Sequence, residues 1–180
     1  MVEPSANARG HGRRRTARAL ASLWFAWVVL AAPPAAHAGA DCSITSVGLN
    51  FGAYDPARAQ PDDVAATVTV TCVYVAPGTT GVSYTLSMSS GQYGSGPTDR
   101  RMGDGTTARL GYNVYSDFAR TRIWGSGAGG TVVASGSMTV GPGVGNGTRT
   151  ATHTVYGRIP QLQDATPGDY LDLLVLTLSY

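Results

Sequence analysis

The chain has 180 residues, a formal net charge of +2, and only 13% charged residues. Its 13 basic residues are all arginine, and its only glutamate is Glu3. The absence of lysine excludes a Walker A phosphate-binding loop and Schiff-base chemistry. The length is that of one ordinary domain.

The N-terminal region predicts a secretory signal peptide over residues 1–38. A basic stretch ending at Arg18 precedes an apolar run over residues 19–32, and Ala36-His37-Ala38 offers small residues for cleavage. This order is typical of secretory leaders. The apolar run is interrupted at Pro33-Pro34 and is shorter than the ~20 residues of a membrane-spanning helix. We therefore predict no transmembrane span once the leader is removed.

The exported part, residues 39–180, has a different charge balance from the whole chain. It carries eight arginines against ten aspartates, so its net charge is −2. No basic stripe remains of the kind that binds nucleic acid, and we predict no nucleic-acid partner. We find neither an internal repeat nor a second domain.

The only two cysteines, Cys42 and Cys72, both lie in the exported part. An even pair in an oxidising compartment predicts one disulfide. The loop-entropy model gives such a bond roughly 3–4 kcal/mol of stabilisation. A redox or metal-binding pair is the alternative, but the spacing is not C-x-x-C and only His153 survives cleavage as a further ligand.

Short alternating runs separated by glycine-rich segments predict an all-β sandwich or barrel. The clearest run is 64–75, where valines on one face alternate with threonines on the other. About seven strands are predicted in chain order: 44–51, 64–75, 82–88, 110–114, 131–140, 148–159, and a terminal strand within 168–180.

The exported part lacks a recognisable catalytic or cofactor motif. A Ser-His-Asp triad would have to use His153, which lies in a threonine-rich strand with no G-x-S-x-G turn nearby. The glycine-rich segment 125–130 lacks the strand–loop–helix setting of a phosphate cradle. We therefore predict that the protein is not an enzyme and has no catalytic residues, metal site or cofactor.

The terminal segment has an apolar face made by Leu174, Leu176, Leu178 and Tyr180. No turn or further strand follows it in the sequence. Because an apolar strand with an open edge is an aggregation hazard, we expect something outside the chain to cover it. An ordinary terminal strand in a self-complete sandwich is the alternative.

Several motifs together resemble the spore coat protein U domain family, whose members are similar to pilin subunits of archaic chaperone–usher pili. They cover essentially the whole exported part. The matching segments are Cys42, 49–56 (LNFGAYDP), 68–72 (VTVTC), 101–102 (RM), 110–115 (LGYNVY), 124–125 (WG), 155–160 (VYGRIP) and 167–172 (PGDYLD).

The resemblance implies an immunoglobulin-like β-sandwich that lacks one strand and is completed by a donated strand. Its implied partners are a periplasmic chaperone, an outer-membrane usher and other pilin subunits. The protein would cross the periplasm and reach the cell surface or an extracellular fibre. The expected donor-strand or chaperone interface is Leu174, Leu176, Leu178 and Tyr180.

Two other functions stay open at this point. One is a secreted spore or cell-envelope coat protein that does not form a fibre. The other is a carbohydrate-binding β-sandwich, for which aromatic residues would supply stacking platforms. The candidate aromatic residues are Tyr93, Tyr112, Tyr115 and Trp124.

The predicted cleavage site suggests a role within the fibre. Only Gly39, Ala40 and Asp41 separate it from Cys42. Three residues span at most about 10 Å, which is too short to fill a groove in a neighbouring subunit. We therefore expect a subunit that accepts a strand but donates none, at the tip of a fibre or as a cap.

Overall fold

The computed structural model describes residues 39–75 and 80–180, and the predicted signal peptide lies outside the described residues. In this part of the chain the regular structure is β, apart from one 3₁₀ turn at Gly145–Gly147. None of its helical segments is long and apolar enough to cross a membrane. The strands are β1 (Ala40–Ser46), β2 (Asp62–Tyr74), β3 (Thr80–Met88), β4 (Arg100–Gly103), β5 (Arg109–Tyr115), β6 (Ala134–Val140), β7 (Thr148–Ile159) and β8 (Leu176–Ser179).

The strands form two sheets that enclose one apolar core. The five-stranded sheet has the order β1-β2-β7-β5-β4, and the three-stranded sheet has the order β6-β3-β8. Neighbouring strands are antiparallel throughout both sheets. This confirms the predicted all-β sandwich. It also places β1 at one end of the first sheet and β8 at one end of the second.

The main differences from the predicted strands concern β1, β6 and β4. β1 ends at Ser46 and not at Phe51, because after Val47 the backbone no longer pairs with β2. β6 begins three residues later than expected, since Thr131 instead closes the glycine-rich loop by donating from Oγ1 to the Ala128 carbonyl (2.7 Å). The prediction missed β4, whose short sequence has no apolar alternation.

The predicted disulfide is present and joins the first two strands. Cys42 and Cys72 face each other in the register of β1 and β2, and their sulfur atoms are bonded. The bond therefore fastens an edge strand to the longest strand of the sheet.

A buried arginine organises the interior on the β4 side. Arg100 is 1% exposed, and its guanidinium donates to the Ser89 carbonyl, the Trp124 carbonyl and Asn113 Oδ1 at 2.6–3.0 Å. Burial lowers the pKa of this guanidinium. Because a buried cation is costly unless its donors are satisfied, Arg100 fixes three separate segments around itself.

A polar contact also crosses the sandwich between the two sheets. The Tyr84 hydroxyl on β3 lies 2.9 Å from His153 Nε2 on β7, and the buried Trp124 ring packs edge-on against the same imidazole. Burial lowers the pKa of His153, which favours the neutral ring. His153 is therefore an inward-facing structural residue.

Two motifs that carried the family resemblance meet in space. The Phe51 ring packs on the backbone of Gly157, where any Cβ would come within 2.8 Å of the ring. Tyr54 donates its hydroxyl to the Pro160 carbonyl at 3.0 Å and accepts from the Gln163 N–H at 2.8 Å. These contacts attach the irregular chain after β1 to the end of β7.

Asp172 anchors the segment that leads into β8. Its Oδ2 accepts from the Tyr112 hydroxyl at 2.7 Å, and its Oδ1 accepts from the backbone N–H groups of Gln92 and Leu173 at 2.8 and 2.9 Å. Burial, followed by the bond to Asp172, raises the pKa of Tyr112. The carboxylate thus fixes the position of the chain just before β8.

This network predicts the effect of replacing Asp172. In Asp172→Ala the Tyr112 hydroxyl and two backbone N–H groups lose their acceptor, so we expect a loss of about 1–3 kcal/mol in the free energy of unfolding. Urea unfolding measures the loss, and hydrogen exchange should rise at Gln92 and Leu173. Tyr112→Phe is the matched control, because it removes one donor and keeps the other two bonds. An Asp172→Ala protein as stable as the wild type would contradict the assignment.

Candidate functional site: an open apolar cleft

A cleft of about 290 Å³ opens onto the core between two irregular segments. One wall is the chain just after β1, over residues 46–51, and the other is the chain over residues 170–176 that enters β8. Each wall continues an edge strand of a different sheet. The cleft therefore lies where the described part of the sandwich has a free edge on both sides.

The lips of the cleft are unusually apolar for exposed positions. Val47 on one wall is 72% exposed, and Leu171 and Leu173 on the other are 74% and 61% exposed. Isolated exposed apolar residues are ordinary on protein surfaces, but residues grouped around one opening mark interaction sites. The opening can thus accept an apolar partner.

The floor of the cleft is the hydrophobic core itself. Its residues come from both sheets, so anything inserted there would contact the interior of the sandwich directly. The floor residues are Val68, Met88, Met102, Tyr112 and Val155.

The backbone along the second wall is only partly paired. Leu171 exchanges two backbone hydrogen bonds with Gly103 at 2.8 and 2.9 Å, and the Val175 carbonyl accepts from the Ser89 N–H at 2.9 Å. β8 then pairs with β3 along one edge and ends the three-stranded sheet at its other edge. The wall is held in place and still presents an edge toward the cleft.

The structure divides the four predicted interface residues into two pairs. Leu174 and Leu176 line the cleft. Leu178 packs against the core without lining the cleft, and the Tyr180 hydroxyl donates to Asp41 Oδ1 at 3.2 Å. The Tyr180–Asp41 bond connects the end of β8 to β1. These positions do not test the interface role of the four residues, which stays a prediction.

The prediction missed the first wall and the anchor of the second. The alternation of Val47, Leu49 and Phe51 predicted a strand over residues 44–51, but only residues 44–46 belong to β1 and the rest form the first wall. Asp172 falls at the same period as Leu174 and Leu176, which in an extended chain places its carboxylate on the same side as these leucines. Both signals were present in the sequence.

The cleft offers little for catalysis. Asp172 is the only carboxylate among its lining residues, and its oxygens already accept three hydrogen bonds. Among the described residues, no group of three or more His, Cys, Asp or Glu side chains could hold a metal ion. The arrangement is suited to apolar contact and to backbone pairing.

The aromatic residues considered for sugar binding are mostly unsuited to it. Tyr112 and Trp124 are buried in the core. The Tyr93 ring is covered on one side by the Arg109 guanidinium, 4.6 Å from the ring centroid. The four residues therefore do not form a common stacking platform.

Comparisons with known proteins agree with this architecture. A family model for the Spore Coat Protein U domain matches residues 27–177. Protein U of Myxococcus xanthus is 29% identical over 154 residues, which cover 81% of this chain and 80% of that protein.

A solved structure shares the fold at low sequence identity. It is the crystal structure of the CsuC–CsuE chaperone–tip adhesion subunit pre-assembly complex from archaic chaperone–usher Csu pili of Acinetobacter baumannii. One of its chains matches with a TM-score of 0.50 and 18% identity, over 78% of this chain and 40% of that chain. This chain thus spans less than half the length of the matched one. The family match covers most of the sequence and nearly all of the described sandwich, and the chain belongs to the Spore Coat Protein U domain family.

Proposed function

We propose that this protein is a non-catalytic structural subunit of a chaperone–usher surface fibre, assembled by donor-strand complementation. The observation that carries the proposal is the apolar cleft between residues 46–51 and 170–176, with core residues as its floor. Membership of the Spore Coat Protein U family and the fold shared with a chain of a chaperone–pilus subunit complex support it.

Strand donation suits the cleft because one peptide would both pair the free sheet edge and cover the apolar side chains. An extended peptide pairs its backbone with a free sheet edge and places alternate side chains into a groove. Each apolar side chain that becomes fully buried contributes roughly 1.5–3 kcal/mol. Covering the exposed Val47, Leu171 and Leu173 would thus add several kcal/mol, a large fraction of the ~5–15 kcal/mol stability of a whole domain.

In this proposal the cleft is filled in sequence by two partners. A periplasmic chaperone supplies the strand during transit, and another subunit replaces it when an outer-membrane usher assembles the fibre. The assembled protein is then displayed at the cell surface. The interface residues are Leu174 and Leu176 in the cleft, with Leu178 and Tyr180 continuing the same strand.

A secreted coat protein that forms no fibre is the second candidate. The description of the family as a spore coat domain favours it. A coat protein could also fill its cleft with a strand from a neighbour, so the two candidates differ in whether the assembly is a fibre or a layer. Electron microscopy of the native cell surface separates them.

We further propose that the subunit is a tip or cap. β1 begins at Ala40 and already pairs with β2 there. With cleavage after Ala38, Gly39 alone precedes the sheet, which leaves no segment for a neighbour's groove. The family match begins at residue 27, ahead of the predicted cleavage site, so the true start of the exported protein decides this proposal.

One prediction of the proposed function concerns dependence on a chaperone. Expressed alone in a periplasm, the wild-type protein should be degraded or self-associate, and co-expression of the cognate chaperone should rescue it. Val47→Asp should abolish most of the rescue, because it places a charge on the lip where the apolar strand enters. Leu176→Asp should abolish it completely. Soluble yield and co-purification with the chaperone are the measurements.

A matched control separates the cleft from a general effect of added charge. Leu162→Asp introduces the same charge at an exposed leucine that does not line the cleft, and it should be rescued as well as the wild type. A stable, cooperatively folded wild-type monomer obtained without any chaperone would contradict the proposed function.

Another prediction concerns the place of the subunit in the assembly. N-terminal sequencing of the secreted protein should give a start close to Gly39, and immunogold labelling should mark one end of a fibre. A start more than about ten residues before Cys42 would leave room for a donor strand, since ten residues reach roughly 33 Å. Labelling at regular intervals along the fibre would refute the tip or cap role.

A further inference from the structure

The outer face of the five-stranded sheet carries a regular array of hydroxyl groups. The array lies on three adjacent strands, β1, β2 and β7, whose register places the residues side by side in rows. We call it the hydroxyl face. Its residues are Ser43, Thr45, Thr67, Thr69, Thr71, Thr150, Thr152 and Thr154.

The rows follow directly from the strand pairing. Thr45 pairs with Thr69 and Thr69 pairs with Thr152, while Ser43, Thr71 and Thr150 form the next row. Neighbouring strands lie about 4.7–4.9 Å apart, and residues two apart along a strand are about 6.6–6.8 Å apart. The face is therefore a grid of neutral hydroxyls, each able to donate one hydrogen bond and accept two.

Two aromatic residues, Tyr156 and the exposed Phe118, border this grid. Tyr156 follows Thr154 on the same face of β7, and the Phe118 ring packs edge-on against it with centroids 5.9 Å apart. Phe118 is 77% exposed. The Arg120 guanidinium lies 5.9 Å from the Phe118 centroid and 5.7 Å from the Tyr156 centroid.

The loop that carries Phe118 is firmly held. Asp117 accepts from the backbone N–H groups of Thr121 (3.1 Å) and Arg122 (2.7 Å) and from the Thr121 hydroxyl (2.8 Å). Arg120 also reaches Asp63 on β2, at 3.2 Å. Phe118 is thus an exposed aromatic ring held in a fixed place beside Tyr156, at the border of the hydroxyl face.

We propose that the hydroxyl face and Phe118 together bind a neutral, unbranched polysaccharide. The C–H groups of a sugar ring carry a small positive charge and lie well against the negative face of an aromatic ring. Sugar hydroxyls beyond that ring would exchange hydrogen bonds with the threonine grid. The eight side chains of the grid are uncharged, although Asp41 continues the face beyond Ser43, and Asp63 and Arg158 form an ion pair beyond Tyr156. A grid without basic groups matches a neutral polymer better than an acidic one.

Other occupants fit this surface less well. Cores of protein–protein interfaces are depleted in serine and rich in large apolar residues, whereas the grid is built of small hydroxyl side chains with the aromatic residues only at its border. A nucleic acid would need a basic surface. The cleft opens onto the interior of the sandwich, so strand donation there leaves the hydroxyl face available, and this proposal does not depend on the proposed function.

The test is affinity electrophoresis of the exported protein in native gels. Separate gels contain a soluble neutral β-glucan, galactomannan, dextran or, as the anionic comparison, polygalacturonate. We expect at least one neutral polymer to retard the wild-type protein more than polygalacturonate does. Phe118→Ala should weaken that binding about tenfold or more, the range typical of an aromatic hot-spot contact. Thr152→Val, which keeps the side-chain shape and removes one hydroxyl, should weaken it measurably.

Thr139→Val is the matched control. Thr139 is an exposed strand threonine on the other sheet, so its replacement should leave binding unchanged. Threonine and valine both suit exposed strand positions, and circular dichroism confirms that each variant is folded. Three results would overturn the proposal: no neutral polymer retards the wild type, polygalacturonate retards it most, or the Phe118 and Thr152 variants bind as the wild type does.

Discussion

A sheet edge must satisfy its backbone groups with water or with another strand, and in this protein two such edges border the same apolar interior. β1 ends one sheet, β8 ends the other, and the segments that extend them form the walls of one cleft. The floor of that cleft is core. Water can solvate the edges, but it cannot favourably cover the exposed apolar lips of the cleft, Val47, Leu171 and Leu173. A strand from a partner meets both requirements.

Four sets of contacts elsewhere in the fold hold the walls of the cleft in position. The disulfide between Cys42 and Cys72 keeps β1 on its sheet up to the point where the cleft begins. Asp172 fixes the opposite wall, and Arg100 fixes the turn at Ser89, which in turn pairs with Val175. Phe51, packed on Gly157, holds the far end of the first wall. A preformed groove lowers the ordering cost of binding.

The sequence predicted the regular part of the fold well, because that part depends on local alternation. β2 alternates valine with threonine, β7 has a threonine at every second position from Thr148 to Thr154, and the disulfide follows from two cysteines in an exported chain. β4 escaped prediction, since Arg100 is buried by hydrogen bonds to distant carbonyls and not by any apolar pattern. The first wall was wrongly predicted to be a paired strand for a related reason. Alternation predicts an extended chain, but whether a neighbouring strand pairs with it depends on the tertiary structure.

Site prediction was limited in the same way. The apolar face of β8 was visible, but only the structure separates Leu174 and Leu176, which line the cleft, from Leu178, which packs inside. The hydroxyl face could not be assembled from sequence either, because its rows depend on β1, β2 and β7 being neighbours in the sheet. Phe118 lies in a loop without periodicity, so nothing local marked it as exposed.

Site-specific photo-crosslinking tests the central claim most directly. A photoreactive amino acid is placed at Leu49, inside the cleft, and at Leu162, outside it, in protein recovered from the native cell surface. The account predicts that position 49 crosslinks to an extended segment of another polypeptide, identified by mass spectrometry, and that position 162 does not. Crosslinks from position 49 only to this chain's own residues, or to no polypeptide, would contradict it.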